Sequence, residues 1–480
     1  MAGAAFAGRA AAAGRPPESG DGASPFRLAG TSTGAAARVP IAPDNPAIRR
    51  DDRICLRCGA CIEVCDRTQS VFGHFDRSAF DSFPCVGCGQ CTLWCPTGAL
   101  AEVDDTEKAL RALRDANTLV VAQTAPSGRV ALGEEFAFPL GENVEAKQVA
   151  ALRQLGVDVV FDTNFSADLT VMEEATELLA RLRKAETETL PLFSSCCPAW
   201  VKFCETFYPE MIPHLSSAKS PMTMMGAMIK TYYAKKRAID PERIYSIAVM
   251  PCTAKKAEAL RPEMNGAERY WGRPGLRDVD LVLTTRELAR LMKSENLDPR
   301  TLRSGACDPL LSAYSGAGAI FGGTGGVAEA TIRTAYFLAT GREPPDALLH
   351  LASVRGLTGI KEAAVSVPGV GDIHFAVVSG LSNARSVLEQ IRGGTSKWHF
   401  VEFMACPGGC IAGGGQPRTT VPPSDRIRLA RIEALYAVDE SRRIRKSYAN
   451  PEIRAVYERF LGKPNGKRAQ RLLHARDLAL

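Results

Sequence analysis

From about residue 118 onward the chain alternates short β-rich apolar runs with stretches of helical pattern. The runs are TLVVAQT (118–124), VDVVFDTN (157–164), LPLFSS (190–195), YSIAVM (245–250), VDLVLTT (279–285), AAVSV (363–367), IHFAVVSG (373–380) and HFVEFMA (399–405). Strands that alternate with helices predict an α/β domain with mainly parallel sheets. In open sheets of this kind ligands bind beyond the carboxyl ends of the strands. The unusual residues fall there: APS (125–127) after the first run, SSCCP (194–198) after the third, MPC (250–252) after the fourth and MACPGGC (404–410) after the last. Four strand ends are thus expected to converge on one ligand.

The chain before this alternation has a different texture. Residues 1 to about 40 are rich in Ala, Gly, Arg and Ser with little periodic apolar content, which predicts disorder. The same composition resembles an organellar transit peptide. A cysteine-dense block follows over 51–103 and gives way to the acidic stretch AEVDDTE, where a helical pattern begins.

A length of 480 residues exceeds what one core usually serves, so two or three domains are expected. No apolar run approaches the length of a membrane helix. The 59 basic and 53 acidic residues leave a net charge of +6, too mild to argue for nucleic acid. That excess suits docking of a small acidic partner as well as it suits a solvated basic surface. Fifteen cysteines, odd in number and clustered as CxxC, point to metal ligation in a reducing compartment rather than to disulfides.

Eight of the fifteen form two runs. CLRCGACIEVC carries Cys55, Cys58, Cys61 and Cys65, and CVGCGQCTLWCP repeats the C-x2-C-x2-C-x3-C spacing with Cys85, Cys88, Cys91 and Cys95. This is the bacterial ferredoxin signature for two 4Fe-4S clusters, in which the fourth cysteine of each run ligates the other cluster. Cys55, Cys58, Cys61 and Cys95 are therefore assigned to one cluster, and Cys65, Cys85, Cys88 and Cys91 to its partner. Small residues such as Gly59 and Gly89 let thiolates and backbone N–H groups close on a cubane. Zinc is the weaker reading, since tetrahedral sites use separated CxxC pairs.

A second constellation is dispersed. Cys197, Cys252, Cys406 and Cys410 lie on three different strand ends, each beside Pro or Gly, and four such thiolates can complete another cubane. Cys204 and Cys307 fit the plainer role of buried free cysteines. Met250 and Met404 each precede a cysteine by two residues, and GGTGG (322–326) and GGGQP (413–417) leave room for backbone to approach something bulky. Cys196, next to Cys197, points the other way along an extended chain and cannot join the same small core.

At these residues a family becomes recognisable. FSSCCPAW, MPCTAKKAE and VEFMACPGGCIAGGGQP resemble, in order, the three signature segments of the iron-only (FeFe) hydrogenases. The likeness runs from about residue 40 to 470 and includes DLTVMEEATEL, SSAKSP, IFGGTGGV and NPEIRAVYERFLGKP. It implies a catalytic domain (105–419) of two α/β lobes with mainly parallel sheets enclosing the active site. An N-terminal α+β ferredoxin-like domain (41–104) would precede it, and a C-terminal helical segment (420–480) would wrap it.

The resemblance also implies a site. Cys197, Cys252, Cys406 and Cys410 would hold a 4Fe-4S cubane, with Cys410 bridging to a two-iron subsite that carries CO, cyanide and an azadithiolate; together these form the H-cluster. Cys196 would pass protons, a task suited to a thiol whose surroundings bring its pKa near neutrality. Behind it the family's relay maps onto Glu174, Ser216 and Glu177, with Arg181 at the outer end; Glu174, Glu177 and Arg181 are spaced to share one helix face. Lys255 and Ser127 resemble donors to the cyanides, and Glu258 follows Lys255 at helical spacing. Pro221 supplies a backbone contact, and Met250, Met404 and Phe321 pack around the irons.

The implied function is reversible hydrogen chemistry, 2 H+ + 2 e− giving H2. Electrons would come from a ferredoxin or flavodoxin through the two accessory clusters, and dedicated maturation proteins would assemble the two-iron site. Departures are few: Gly128 stands where valine is common, Met222 where glutamine is frequent, and HARDL where an HTxY-like tail is usual. Two rival readings are an iron-sulfur assembly protein of the same fold and a hydrogen sensor. The first relatives lose residues that are present here, among them Cys196, Lys255 and Glu258. The second would show an altered relay or an appended signalling domain, and neither is visible. The expected location is cytoplasmic, or plastid, mitochondrial or hydrogenosomal if residues 1–40 are a transit peptide.

Overall fold

Three sheets organise the chain in the computed structural model, which describes residues 38–475. The tail expected over residues 1–40 falls, apart from its last three residues, outside this range, as do the last three residues of the HARDL stretch. In the cysteine block, β1 (Ile48–Arg50) and β2 (Leu100–Glu102) pair antiparallel. These three-residue strands are too short for a periodicity to announce them.

The apolar runs form the other two sheets. β3 (Leu119–Thr124), β4 (Val159–Asp162), β6 (Ile244–Met250) and β7 (Leu281–Thr284) make an all-parallel sheet in the order β4-β3-β6-β7. β5 (Leu192–Phe193), β8 (Ile360–Val367), β9 (Gly371–Ser379) and β10 (Phe400–Met404) make the second, in the order β5-β10-β9-β8. There β5 and β9 flank β10 in parallel, while β8 pairs antiparallel with β9. This one departure from parallel pairing follows from the connection. Only residues 368–370 link β8 to β9, far too few for the crossover a parallel pair requires.

The chain ends of β3, β5, β6 and β10 carry the site loops, and the helices behind them hold those loops in place. Trp200 and Phe403 stack with ring centroids 3.9 Å apart, and Phe193 meets Phe403 edge-on at 5.1 Å. They share one buried cluster with Cys196, Cys197 and Cys252. Burial of side chains this large stabilises the fold by roughly 2–3 kcal/mol each. The helix Thr163–Arg183 starts directly from β4, its first turn capped by the Asp162 carboxylate, which accepts from the Asn164 amide at 2.9 Å. Its first three turns are buried on every face and pack on the helices Pro221–Met228, Gly316–Ile320 and Gly326–Thr340.

The cysteine block is fastened to the catalytic loops by buried hydrogen bonds. Thr253 Oγ1 donates to the Gly87 carbonyl (2.7 Å), Gln90 Nε2 to the Ala412 carbonyl (2.9 Å) and Thr92 Oγ1 to the Gly414 carbonyl (2.8 Å). Arg286 reaches the Gly414 and Gln416 carbonyls, both at 2.7 Å, and pairs with Glu102. Gly89 is required here twice over. Its φ is +71°, and a Cβ would stand 2.4 Å from Thr253 Oγ1 and 2.9 Å from Gly414 Cα. At the other end of the chain, residues 473–475 run antiparallel to 217–219, with Lys219 N donating to the Leu473 carbonyl (2.8 Å) and Ala475 N to the Ser217 carbonyl (2.9 Å).

Candidate functional site

The twelve cysteines singled out as ligands sort into three cavities. Cys55, Cys58, Cys61 and Cys95 line one of about 350 Å³. A neighbour of similar size is lined by Cys65, Cys85, Cys88 and Cys91. The third, about 720 Å³, is walled by Cys197, Cys252, Cys406 and Cys410 together with Cys196. Cys204 is fully buried away from all three, and Cys307 packs against a separate core cluster.

These residues suit iron-sulfur clusters better than single ions. Among the described residues no three His, Cys, Asp or Glu side chains converge tightly enough to hold one metal ion. The thiols instead surround space of cluster size, and backbone amides point at their sulfurs. Val39 N lies 3.3 Å from Cys61 Sγ, Gly87 N 3.4 Å from Cys85 Sγ, Leu100 N 3.5 Å from Cys95 Sγ and Ala405 N 3.4 Å from Cys197 Sγ. Such donors stabilise the negative charge that bridging sulfurs and thiolates carry. Burial pushes the Cys252 thiol up to about 12 and those of Cys88, Cys91 and Cys406 well above their ordinary value. Thiols so placed ionise only when a metal supplies the compensating charge.

The large cavity has a soft lining. Ser127, Pro221, Met250, Lys255, Phe321 and Met404 all face it, as does Met222. Lys255 Nζ donates to the Cys196 carbonyl (3.0 Å) and to Glu258 Oε2 (2.6 Å). Burial opposes the ammonium, but the Glu258 carboxylate more than offsets it, and the Lys255 pKa is raised. Glu258 does not line the cavity and acts on it only by holding Lys255. Gly409, with φ at +92°, has no room for a side chain, since a Cβ would meet the Thr324 amide nitrogen at 2.7 Å.

Behind Cys196 lies the helix Thr163–Arg183, which buries three carboxylates completely. Two of them are saturated. Asp168 accepts from Ser315, Ser447 and Asn450. Glu173 accepts from Tyr457 Oη (2.5 Å) and the Asn465 amide (2.6 Å). Glu174 has only a long contact from the Ser195 amide (3.5 Å), and its Oε2 has no partner. Burial, reinforced by the nearby Glu177 charge, lifts the Glu174 carboxyl to about 8. A buried acid left short of partners, its charge felt by a thiol that lines the large cavity, marks function rather than packing.

Further out the polar groups are connected. Ser216 Oγ donates to Glu177 Oε2 (2.7 Å), and Arg181 Nη2 donates to Glu177 Oε1 (2.7 Å). Arg181 also donates to the Thr189, Pro213 and Leu215 carbonyls. Glu177 and Arg181 are partly exposed, whereas Glu174 and Ser216 are buried. The Cys196 thiol departs from the expectation of a near-neutral pKa. Burial, with the Glu174 carboxylate next in effect, pushes it well above its ordinary value, so the thiol holds its proton.

Known proteins resemble this chain. Residues 118–414 match the C-terminal domain of the iron-only hydrogenase large subunit, and residues 425–476 match the iron hydrogenase small subunit. The chain is a member of the iron-only (FeFe) hydrogenase family. It is 44% identical to the NADP-reducing hydrogenase subunit HndD of Solidesulfovibrio fructosivorans, over 90% of this chain and 74% of that one. It is 40% identical to iron hydrogenase 1 of Clostridium pasteurianum, over 92% of this chain and 79% of the relative. A solved apo FeFe-hydrogenase from Chlamydomonas reinhardtii superposes with a TM-score of 0.67 at 40% identity, covering 78% of this chain and 98% of that structure. As an FeFe hydrogenase the chain is an enzyme of hydrogen production and uptake, and the family carries the H-cluster with accessory iron-sulfur clusters.

Several residues that shape the hydrogenase site gave no signal in the sequence. Glu402 on β10 accepts from the Gly325 and Ala328 amides, both at 2.7 Å, and so fixes the loop that presents Phe321. Thr253, Gln90 and Arg286 act across 130 to 322 residues of chain. Only proximity to a motif could have flagged Thr253, and nothing local flags the others.

Proposed function

We propose that the three cavities hold two accessory 4Fe-4S clusters and the H-cluster, with electrons and protons reaching the large cavity from opposite sides. Cys55, Cys58, Cys61 and Cys95 ligate the outer accessory cluster, and Cys65, Cys85, Cys88 and Cys91 the inner one. Cys197, Cys252, Cys406 and Cys410 would hold the H-cluster in the large cavity. When bound, the H-cluster supplies the irons at which H2 is made and split and the cubane that exchanges electrons with them.

The chain's own residues do the rest. Cys58 is exposed, so the outer cluster is the port for an electron carrier of the ferredoxin or flavodoxin kind, and the buried Cys88 and Cys91 carry the path inward. Lys255 and Ser127 present donors to the diatomic ligands, while Pro221, Met250, Phe321 and Met404 exclude water around them. A proton enters at Glu177, steadied by Arg181, passes by way of the Ser216 hydroxyl to Glu174 and from there to the Cys196 thiol. The unpartnered Glu174 oxygen carries this reading, because a group poised near pH 8 can both take and give a proton at working pH.

The division into residues 41–104, 105–419 and 420–480 is part of the proposal, and the small-subunit match over 425–476 supports its last boundary. Assembly of the two-iron subsite calls for dedicated maturation proteins. No described helix is long and apolar enough to cross a membrane. A reducing compartment suits the cysteines, either the cytoplasm or an organelle.

Infrared spectroscopy of the matured protein provides the test. Bands from iron-bound CO and cyanide should accompany about 14 irons per chain, three cubanes plus two. A fully iron-loaded, matured sample without those bands would end the assignment.

A further inference from the structure

The proposed relay depends on two elements that are not neighbours in sequence. Glu174 and Glu177 sit on the helix Thr163–Arg183, whereas Ser216 sits on the segment 216–219, which runs beside the chain's last described residues. A proton hop needs these groups within hydrogen-bond reach, so something must hold helix and segment at a fixed spacing.

Arg181 ties the helix to the Pro213 and Leu215 carbonyls at one end, and His474 bridges the two elements from the other side. His474, 1% exposed, places Nε2 3.1 Å from Glu173 Oε2 on the helix and Nδ1 2.8 Å from Ser217 Oγ on the segment. Each contact is one residue away from a member of the relay, Glu174 on one side and Ser216 on the other. The Ser217 carbonyl accepts from Ala475 N, and Ala218 bridges antiparallel to His474, so main chain and side chain tie the segment at the same point. The other Glu173 oxygen, Oε1, accepts from Tyr457 Oη, and Oε2 also accepts from the Asn465 amide. With its side-chain amide turned to donate to Glu173 (2.8 Å) and to His474 Nε2 (3.2 Å), Asn465 also accepts from the Glu177 backbone amide at 3.2 Å. The left-handed backbone at Asn465, φ +54°, is one that asparagine tolerates better than most residues.

We propose that His474 is the positioning residue of the proton path, setting the distance between the carboxylates of the long helix and the Ser216 hydroxyl through Glu173 and Ser217. This rests on the relay reading above. His474 touches neither the cavity nor the reacting groups. It acts by keeping two halves of a wire in register, which is why a buried His–Glu pair remains where an apolar pair would pack as well.

The test compares His474→Ala, Ser217→Ala and Glu177→Ala in the matured enzyme. His474→Ala should lower H2 evolution about tenfold or more, since misplacement of a reacting group by an ångström has effects of that order. Its KM for the reduced electron donor and its CO and cyanide infrared bands should stay as in the parent, and the solvent deuterium isotope effect on turnover should rise. Ser217→Ala, which leaves the Glu173–His474 pair intact, should show the same pattern more weakly and guards against a failure of His474→Ala to fold. In protein lacking the two-iron subsite, both variants should speed amide hydrogen exchange over residues 216–219. Parent-like turnover and isotope effect in both His474→Ala and Ser217→Ala, with Glu177→Ala slow, overturns the positioning role alone. If Glu177→Ala is itself as fast as the parent, the relay reading fails, and this inference fails with it.

Discussion

On the electron side of the large cavity, backbone meets backbone: Gly89 lies against Gly414, and Thr253, Gln90, Thr92 and Arg286 donate into carbonyl groups at short range. On the proton side, Glu174 Oε2 has no partner among the described residues and Cys196 holds a proton that burial will not let it shed. The donors that join the two parts in the first region each have a short-range acceptor, whereas the second leaves a buried acid short of hydrogen bonds. Electrons need only a fixed separation between clusters, so the groups that fasten the two parts can stay in fixed hydrogen bonds. Proton carriers must exchange partners on each turnover, and a saturated group has none to exchange.

Breaking the proton side should have the largest effect. Cys196→Ala is expected to keep the iron content and the infrared bands while lowering turnover by about 100-fold or more, the range in which removal of a general acid or base falls. Unimpaired hydrogen evolution by that variant would erase the contrast. On the electron side, Thr253→Val strips the Gly87 carbonyl of its buried donor and should cost about 1–3 kcal/mol of stability. Turnover per intact H-cluster should change less than about twofold, measured with thermal unfolding and hydrogen evolution on the same preparation. A large catalytic loss without destabilisation would mean the hydroxyl does more than hold the two parts together.

The subtlest prediction concerns pH. Glu174 titrates near 8 in the folded chain and near its ordinary value of 4.5 once unfolded. Between those values the folded state binds the extra proton, so its contribution to stability is full below about pH 4.5 and is lost as pH rises toward about 8. Glu174→Gln cannot ionise and should escape this loss. The gap in Tm between Glu174→Gln and the parent, at equal cluster loading, should therefore grow from pH 5 to pH 8 and then level off. A gap independent of pH would place Glu174 in a wetter, partnered setting than the structure shows.

How legible these regions were differs in the same way. All eight apolar runs became strands, and the strand-end loops whose cysteines line the large cavity could be read because those cysteines and their Pro and Gly neighbours are local. A strand's composition does not reveal its partner's direction, so the antiparallel turn of β8 into β9 was legible only through the short connection between the two runs, and β1 and β2 were too short to register. The relay was visible only through resemblance. Glu174 looks no different from Glu173 in sequence, and which of the two is left unsatisfied is decided by Tyr457, Asn465 and His474, about 300 residues away. The electron-side weld was hidden for the same reason, since Gln90 and Ala412 meet only in the fold.

The close seat of Gly89 on Gly414 has one more consequence. With no space for even a methyl group, the accessory-cluster block cannot swing on the catalytic loops as a tethered carrier domain would. The spacing between inner cluster and cubane is then built in rather than sampled by diffusion, and internal electron transfer should be as fast in glycerol as in water. Viscous solvent should slow this hydrogenase only where a separate donor has to find it.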